Sequence, residues 1–92
     1  MQVEDLIKAM EIIAPTRHAE AWDNVGLLVG DAKASLSRLL LTIDLGIAQV
    51  QEAKQLGCEA VIAYHPPIFK EVRRLLSDSP VYEAIRAGIA IY

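Results

Sequence analysis

Cysteine is nearly absent from these 92 residues. Cys58 is the only one, so no internal disulfide framework staples the chain, and a reducing compartment is expected. No apolar run reaches the roughly 18 residues of a membrane-spanning helix. The opening Met1-Gln2-Val3-Glu4-Asp5 is acidic and lacks the apolar stretch of a signal peptide. Both absences lead to the expectation of a cytoplasmic protein with no membrane association. Basic residues do not dominate either: 9 Lys and Arg face 12 Asp and Glu, a formal charge of −3. That balance argues against a general polyanion surface and against nucleic acid as a partner. Also missing are a P-loop, a dinucleotide glycine fingerprint, a serine nucleophile elbow and any His-x3-His or Cys-x2-Cys spacing. What remains is 53% hydrophobic and 23% charged, the composition of a folded globular chain. One domain over 1–92 is expected, with a thin core, because folding at this length buries only about 60–65% of the unfolded surface.

The pattern along the chain predicts α/β architecture. Val3, Leu6, Ile7, Met10 and Ile13 form one stripe on a 3.6-residue period, and Pro15 ends that helix after Ala14. Glu4 and Asp5 suit its first turn. Val25 to Val29 reads as a short strand, interrupted by Gly26 and closed by Gly30-Asp31. Leu39 to Ile43 is a continuous apolar run, as in a strand covered on both faces. A helix follows from Ile47 to Leu56, with Gly46 as N-cap and Gly57 beyond its end. Ala60–Ala63 is the next strand, and Lys70 to Leu76 reads as a helical turn. Ser79-Pro80 starts a last helix, running to Ala87, and Ile89 to Tyr92 is the last strand. Residues 38–92 therefore read β-α-β-α-β, a mostly parallel sheet preceded by an N-terminal helix and strand. The final strand leaves an open sheet edge that invites pairing.

Ligands of parallel sheets bind beyond the carboxyl ends of the strands. That rule selects Asp44, Tyr64 with His65, and Tyr92. His65, held by Pro66-Pro67, is either a ligand or a solvated side chain. Asp44 either caps the following helix or serves as a ligand. Trp22-Asp23-Asn24 either holds a ligand or is ordinary turn chemistry. Lys70, Arg73 and Arg74 are either a solvated face or a cluster that steers phosphate. Further oxygen and nitrogen donors are Asp23, His18 and the Tyr64 phenol, whereas a metal site needs three or four protein ligands. Cys58 has no evident base and is expected to be inert.

Three segments in order sharpen this: Ala19-Glu20-Ala21-Trp22-Asp23-Asn24-Val25-Gly26-Leu27-Leu28-Val29-Gly30-Asp31, Leu41-Thr42-Ile43-Asp44-Leu45, and Ala60-Val61-Ile62-Ala63-Tyr64-His65-Pro66-Pro67-Ile68-Phe69-Lys70. Together they resemble the N-terminal part of the NIF-three-like family (NGG-one-interacting factor three-like), whose members are also named GTP cyclohydrolase 1 type 2. The resemblance implies a half of a two-lobed α/β fold, assembly into a toroidal hexamer, and a dinuclear centre of zinc, manganese or iron. It implies five ligands: two adjacent histidines before a proline, an Asp soon after the third strand, and a distant His and Glu. His65 matches the second histidine, and Tyr64 stands in place of the first. The Asp position falls a few residues beyond Tyr92, and the other two fall further on. A phenol titrating near ~10 is a poorer ligand at neutral pH than imidazole. Gly46 replaces the family's helix-capping Thr. Trp22, Asp23, Asn24 and Asp44 are the motif positions expected to line the site, with Lys70, Arg73 and Arg74 toward an anionic substrate.

With one implied ligand of five, this chain is expected to hold divalent metal weakly or not at all and to carry no catalytic residue of its own. It is then an incomplete or non-catalytic member, acting through homo-oligomeric assembly or a protein partner. The alternative is a metal-dependent hydrolase whose site another chain completes.

Overall fold

Seven elements follow one another in the computed structural model, which describes residues 1–92: helix α1 (Val3–Ile13), a 3-10 turn (Thr16–His18), strand β1 (Leu39–Thr42), helix α2 (Ile47–Gln55), strand β2 (Ala60–Ala63), helix α3 (Pro80–Arg86) and strand β3 (Ala90–Ile91). The strands are all parallel, in the order β1-β2-β3. Leu39 to Thr42 lie opposite Ala60 to Ala63, and Ala60 and Val61 lie opposite Ala90 and Ile91.

Local chemistry fixes the helix starts. Ser79 Oγ accepts the Val81 N–H at 3.2 Å, with Pro80 in the first turn of α3. At α2 the Gln49 side-chain carbonyl oxygen accepts the Gly46 N–H at 2.9 Å, the reciprocal half of a capping box, while glycine offers no side chain to the first N–H groups of the helix. At α1 the Asp5 carboxylate accepts the Gln2 N–H at 2.8 Å. Residues 32–34 add carbonyls for the next two N–H groups, Val3 to Ala34 at 2.9 Å and Glu4 to Ala32 at 2.8 Å.

The sheet separates two apolar layers. On one face Val50 and Ala53 of α2 and Ala84 of α3 pack on Val61 and Ile91, with Leu45, Cys58 and Ile89. Both crossover helices lie on that one face, as successive crossovers of the same hand require. On the other face Val3 and Leu6 of α1 pack with Leu36 on Ala60 and Ala90. The core is thin, as the length implies: 14 residues are buried.

Four expectations need correction. Residues 25–29 form no strand. Gly26 and Gly30 take φ of +104° and +117°, which breaks the extended backbone, and only Val29 bridges to Ile91, antiparallel. Residues 70–76 form no helical turn. Val72, Leu75 and Leu76 stay exposed, so no buried face offsets the cost of nucleating one. β1 is not covered on both faces. Leu40 points into the α2 layer, but α1 does not reach over Leu39 and Leu41, which are exposed. Nor is β3 the open edge. Ile91 exchanges hydrogen bonds with Leu28 and Val29 (2.9 Å from Leu28 N–H to Ile91 C=O, 2.9 Å from Ile91 N–H to Val29 C=O), and β1 is left without an outer partner.

A carboxylate pins the entry to β1. Glu59 Oε1 accepts the N–H of Ser37 at 2.9 Å and of Arg38 at 3.0 Å, and the Ser37 hydroxyl adds a third donor. These bonds, the Ser37 N–H first, hold the Glu59 carboxyl below its ordinary 4.5. A carboxyl depressed by folding stabilises the native state above its unfolded pKa, and that contribution fades as pH falls through the folded pKa. Glu59→Gln is therefore expected to flatten the loss of stability between pH 4.5 and the acid limit. Urea midpoints measured across that range, for both proteins, test it.

Candidate functional site

The register of the sheet builds the site. Thr42 lies opposite Ala63, so the residues two places beyond each, Asp44 and His65, emerge side by side at the carboxyl ends of β1 and β2. The Thr42 hydroxyl donates to the Asp44 carbonyl at 2.9 Å and tightens that turn. The backbone N–H groups of Tyr64 and His65 donate to the carbonyls of Thr42 and Ile43, each at 2.9 Å, and extend the pairing past β2. The side chains then meet, with His65 Nδ1 2.7 Å from Asp44 Oδ1. A carboxylate only accepts, so Nδ1 carries the proton and Nε2 is the nitrogen left for a ligand. Asp44 is thus the orienting partner of His65 and not the helix cap, a role Gly46 and Gln49 take.

The loop after β2 meets the segment before β1. Asn24 Nδ2 donates to the Ile68 carbonyl at 2.6 Å, while the Asp23 carboxylate accepts the Asn24 N–H at 2.8 Å. This tie brings Trp22 against Phe69, with ring centroids 6.5 Å apart at 54°. Tyr64 tilts against His65, with centroids 5.1 Å apart at 59°. Trp22, Asp23, Tyr64, His65, Pro66 and Phe69 together line a cleft of about 620 Å³. The structure therefore collects four sequence-predicted positions in one place and attaches Asn24 and Asp44 to its walls. Lys70, Arg73 and Arg74 are exposed and do not line it. His18 faces a separate groove beside Pro15 and shares only Asp23 with the cleft.

One participant was not singled out by sequence reasoning, and another, Tyr92, was selected there only as a strand end. Phe69 is the aromatic partner of Trp22, and its only signal was its place three residues after Pro66 in the loop. Tyr92 lines an adjoining cavity of about 280 Å³ that shares Asp23, Tyr64 and Pro66 with the cleft. Its hydroxyl is buried without a hydrogen-bond partner. Burial first, and then the Glu11 carboxylate, push its pKa above the ordinary 10.0.

The dinuclear centre that the resemblance implies can be tested against these donors. His65 has the arrangement of a metal-ligating histidine, with a carboxylate on its other nitrogen. Yet no three of the chain's His, Cys, Asp and Glu side chains converge. One imidazole and a neighbouring phenol do not make up the three or four protein ligands of even a single-ion site. These residues do not fit the centre on their own.

Asn24→Ala removes the tie between the two loops while leaving their backbones in place. It is expected to cost about 1 kcal/mol, the worth of one side-chain hydrogen bond. Trp22 fluorescence should shift toward that of a free indole as the Phe69 contact loosens. An unchanged emission maximum would show that the aromatic contact does not depend on Asn24.

A family model described as Duf34/NIF3 (NGG1p interacting factor 3) matches residues 1–92. A Drosophila melanogaster relative, NIF3-like protein 1, is 45% identical over 86 residues, covering 92% of this chain and 30% of its own. A Clostridium perfringens relative named GTP cyclohydrolase 1 type 2 homolog is 35% identical over 79 residues, covering 86% and 30%. A crystal structure of a Staphylococcus aureus protein superposes with a TM-score of 0.95 at 33% identity, covering 99% of this chain and 31% of that one. The chain thus spans about three-tenths of the length of these relatives.

Proposed function

Because the chain belongs to the Duf34/NIF3 family across residues 1–92, we propose that it is an assembly module, an α/β unit of the NIF3-like fold that works by associating with further polypeptide, in the cytoplasm, and has no self-sufficient catalytic centre. The observation that carries this reading is the uncovered β1. Its outer edge has no partner strand, and Leu39 and Leu41 beside it face solvent. Unprotected edges of that kind pair with other strands.

A second reading is favoured by one specific feature, the Asp44–His65 pair. In that reading the chain is part of a metal-dependent hydrolase of the kind its relatives' names suggest, and another chain completes the site. His65 would supply one ligand through Nε2 and Asp44 would orient it, while Lys70, Arg73 and Arg74, outside the cleft itself, would draw an anionic substrate toward it.

Native mass spectrometry with elemental analysis of the same sample tests both. A metal-free oligomer is the expected result. A monomer would overturn the assembly reading. An oligomer with zinc, manganese or iron at a fixed ratio per chain would replace the first reading with the second.

A further inference from the structure

We infer that the cleft beyond β2 is an aromatic cage for a methylated ammonium group, carried by a small free amine or by a methylated lysine side chain. The inference goes beyond both readings above and depends on neither. Three of the chain's five aromatic side chains, Trp22, Tyr64 and Phe69, line this one cleft. They are 68%, 79% and 51% exposed, whereas the other two, Tyr82 and Tyr92, are half-buried. Exposed aromatic surface gathered in a concavity is the mark of a ligand site. Tyr64 is where this chain departs from the pattern it resembles. It supplies a ring in place of an implied metal-ligating histidine.

Geometry and charge select the ligand. The Trp22 and Phe69 centroids are 6.5 Å apart, so one charge can lie within about 6 Å of both, the range of a cation–π contact. The 54° between their planes keeps them from stacking flat on each other. No Lys or Arg lines the cleft. Asp23, half-buried in its wall, forms no ion pair. It spends Oδ1 on the Asn24 N–H at 2.8 Å, which leaves Oδ2 for a cation. His65 meets Asp44 through Nδ1, so any charge on the imidazole is matched by that carboxylate. An anion therefore finds no partner in these walls, and a cation finds rings and a carboxylate. Methylation decides among cations. A primary ammonium is strongly hydrated and brings three N–H donors, too many for walls made mainly of rings. A quaternary ammonium has no N–H to satisfy and sets its methyl groups against the ring faces.

Titration with choline and with its uncharged isostere, in which a tert-butyl group replaces the trimethylammonium group, tests the cage. Trp22 is the only tryptophan, so intrinsic emission reports occupancy directly, and calorimetry follows the variants. Choline is expected to shift that emission saturably and to bind about tenfold tighter than the isostere. A peptide bearing trimethyl-lysine, titrated beside choline, identifies the source of the group by which of the two binds tighter. Tyr64→Ala and Asp23→Asn are each expected to weaken choline binding about fivefold, and Tyr64→Phe to retain it. Tyr64 is exposed, so its variants leave the core unchanged, and an amide oxygen at position 23 still accepts the Asn24 N–H. Equal binding of choline and the isostere would overturn the cage. So would unchanged affinity in Tyr64→Ala, tighter binding of inorganic phosphate than of choline, or no saturable binding of either choline or the peptide.

Discussion

Gly30→Ala is expected to destabilise the fold by about 3 kcal/mol, the sum of backbone strain and a steric overlap with no easy relief. Gly30 has φ of +117°, outside the small left-handed region that other residues sometimes visit. A Cβ built there would lie 2.8 Å from Ala90 Cβ and 3.0 Å from Ala90 Cα. Ala90 is in β3 and cannot swing aside as a long side chain could. Relief therefore means moving β3 or the 28–30 segment, and either movement breaks the bonds that close the outer side of β3. Gly88→Ala is the control. Its φ is +70° and nothing lies within 4 Å of the added carbon, so only the left-handed penalty of about 1 kcal/mol applies. Urea unfolding of both variants separates the two effects. Equal losses would show that the Ala90 contact yields freely.

Ile91→Ala is expected to cost about 3 to 4 kcal/mol. Ile91 is among the largest fully buried side chains and packs in the layer formed by α2 and α3. Its backbone bonds to Leu28 and Val29 survive the substitution, so the loss reports packing and the cavity left behind. Only 14 residues are buried, and a domain's whole stability is commonly about 5–15 kcal/mol, so this loss brings the chain near the unfolding threshold. Leu41→Ala, a truncation of the same class at an exposed position, is expected to change monomer stability by less than about 0.5 kcal/mol. A thermal shift of similar size for the two variants would show that the β1 edge is covered in solution.

The elements whose sequence carries both a period and a stop signal were legible. α1 ends before Pro15, α3 starts at Ser79-Pro80, and β2 is a short apolar run between a helix and a proline loop. The errors share a different origin. Leu39 to Ile43 has the composition of a strand covered on both faces, and composition does not say whether the cover is intramolecular. The bridge of Val29 to Ile91 depends on a partner 62 positions away, which no local pattern records. The Asp44–His65 contact spans 21 positions, and each residue has an adequate local explanation alone. It follows only once β1 and β2 are placed in register. Trp22, Asp23 and Asn24 could be singled out because that run is unusual, but its attachment to Ile68 and Phe69 is a product of the fold.

The order of burial along the chain has a consequence for synthesis on the ribosome. α1 is made before the sheet it packs on, since Val3 and Leu6 find their floor in Ala60 and Ala90. The helix therefore leaves the exit tunnel with its apolar stripe bare and keeps it bare until nearly all of these residues have emerged. The β1-α2-β2 unit can dock on itself earlier, since its strands are 21 positions apart in register. Ala90 and Ile91 thus act as a latch: when they arrive, both layers close on the same short strand in one step.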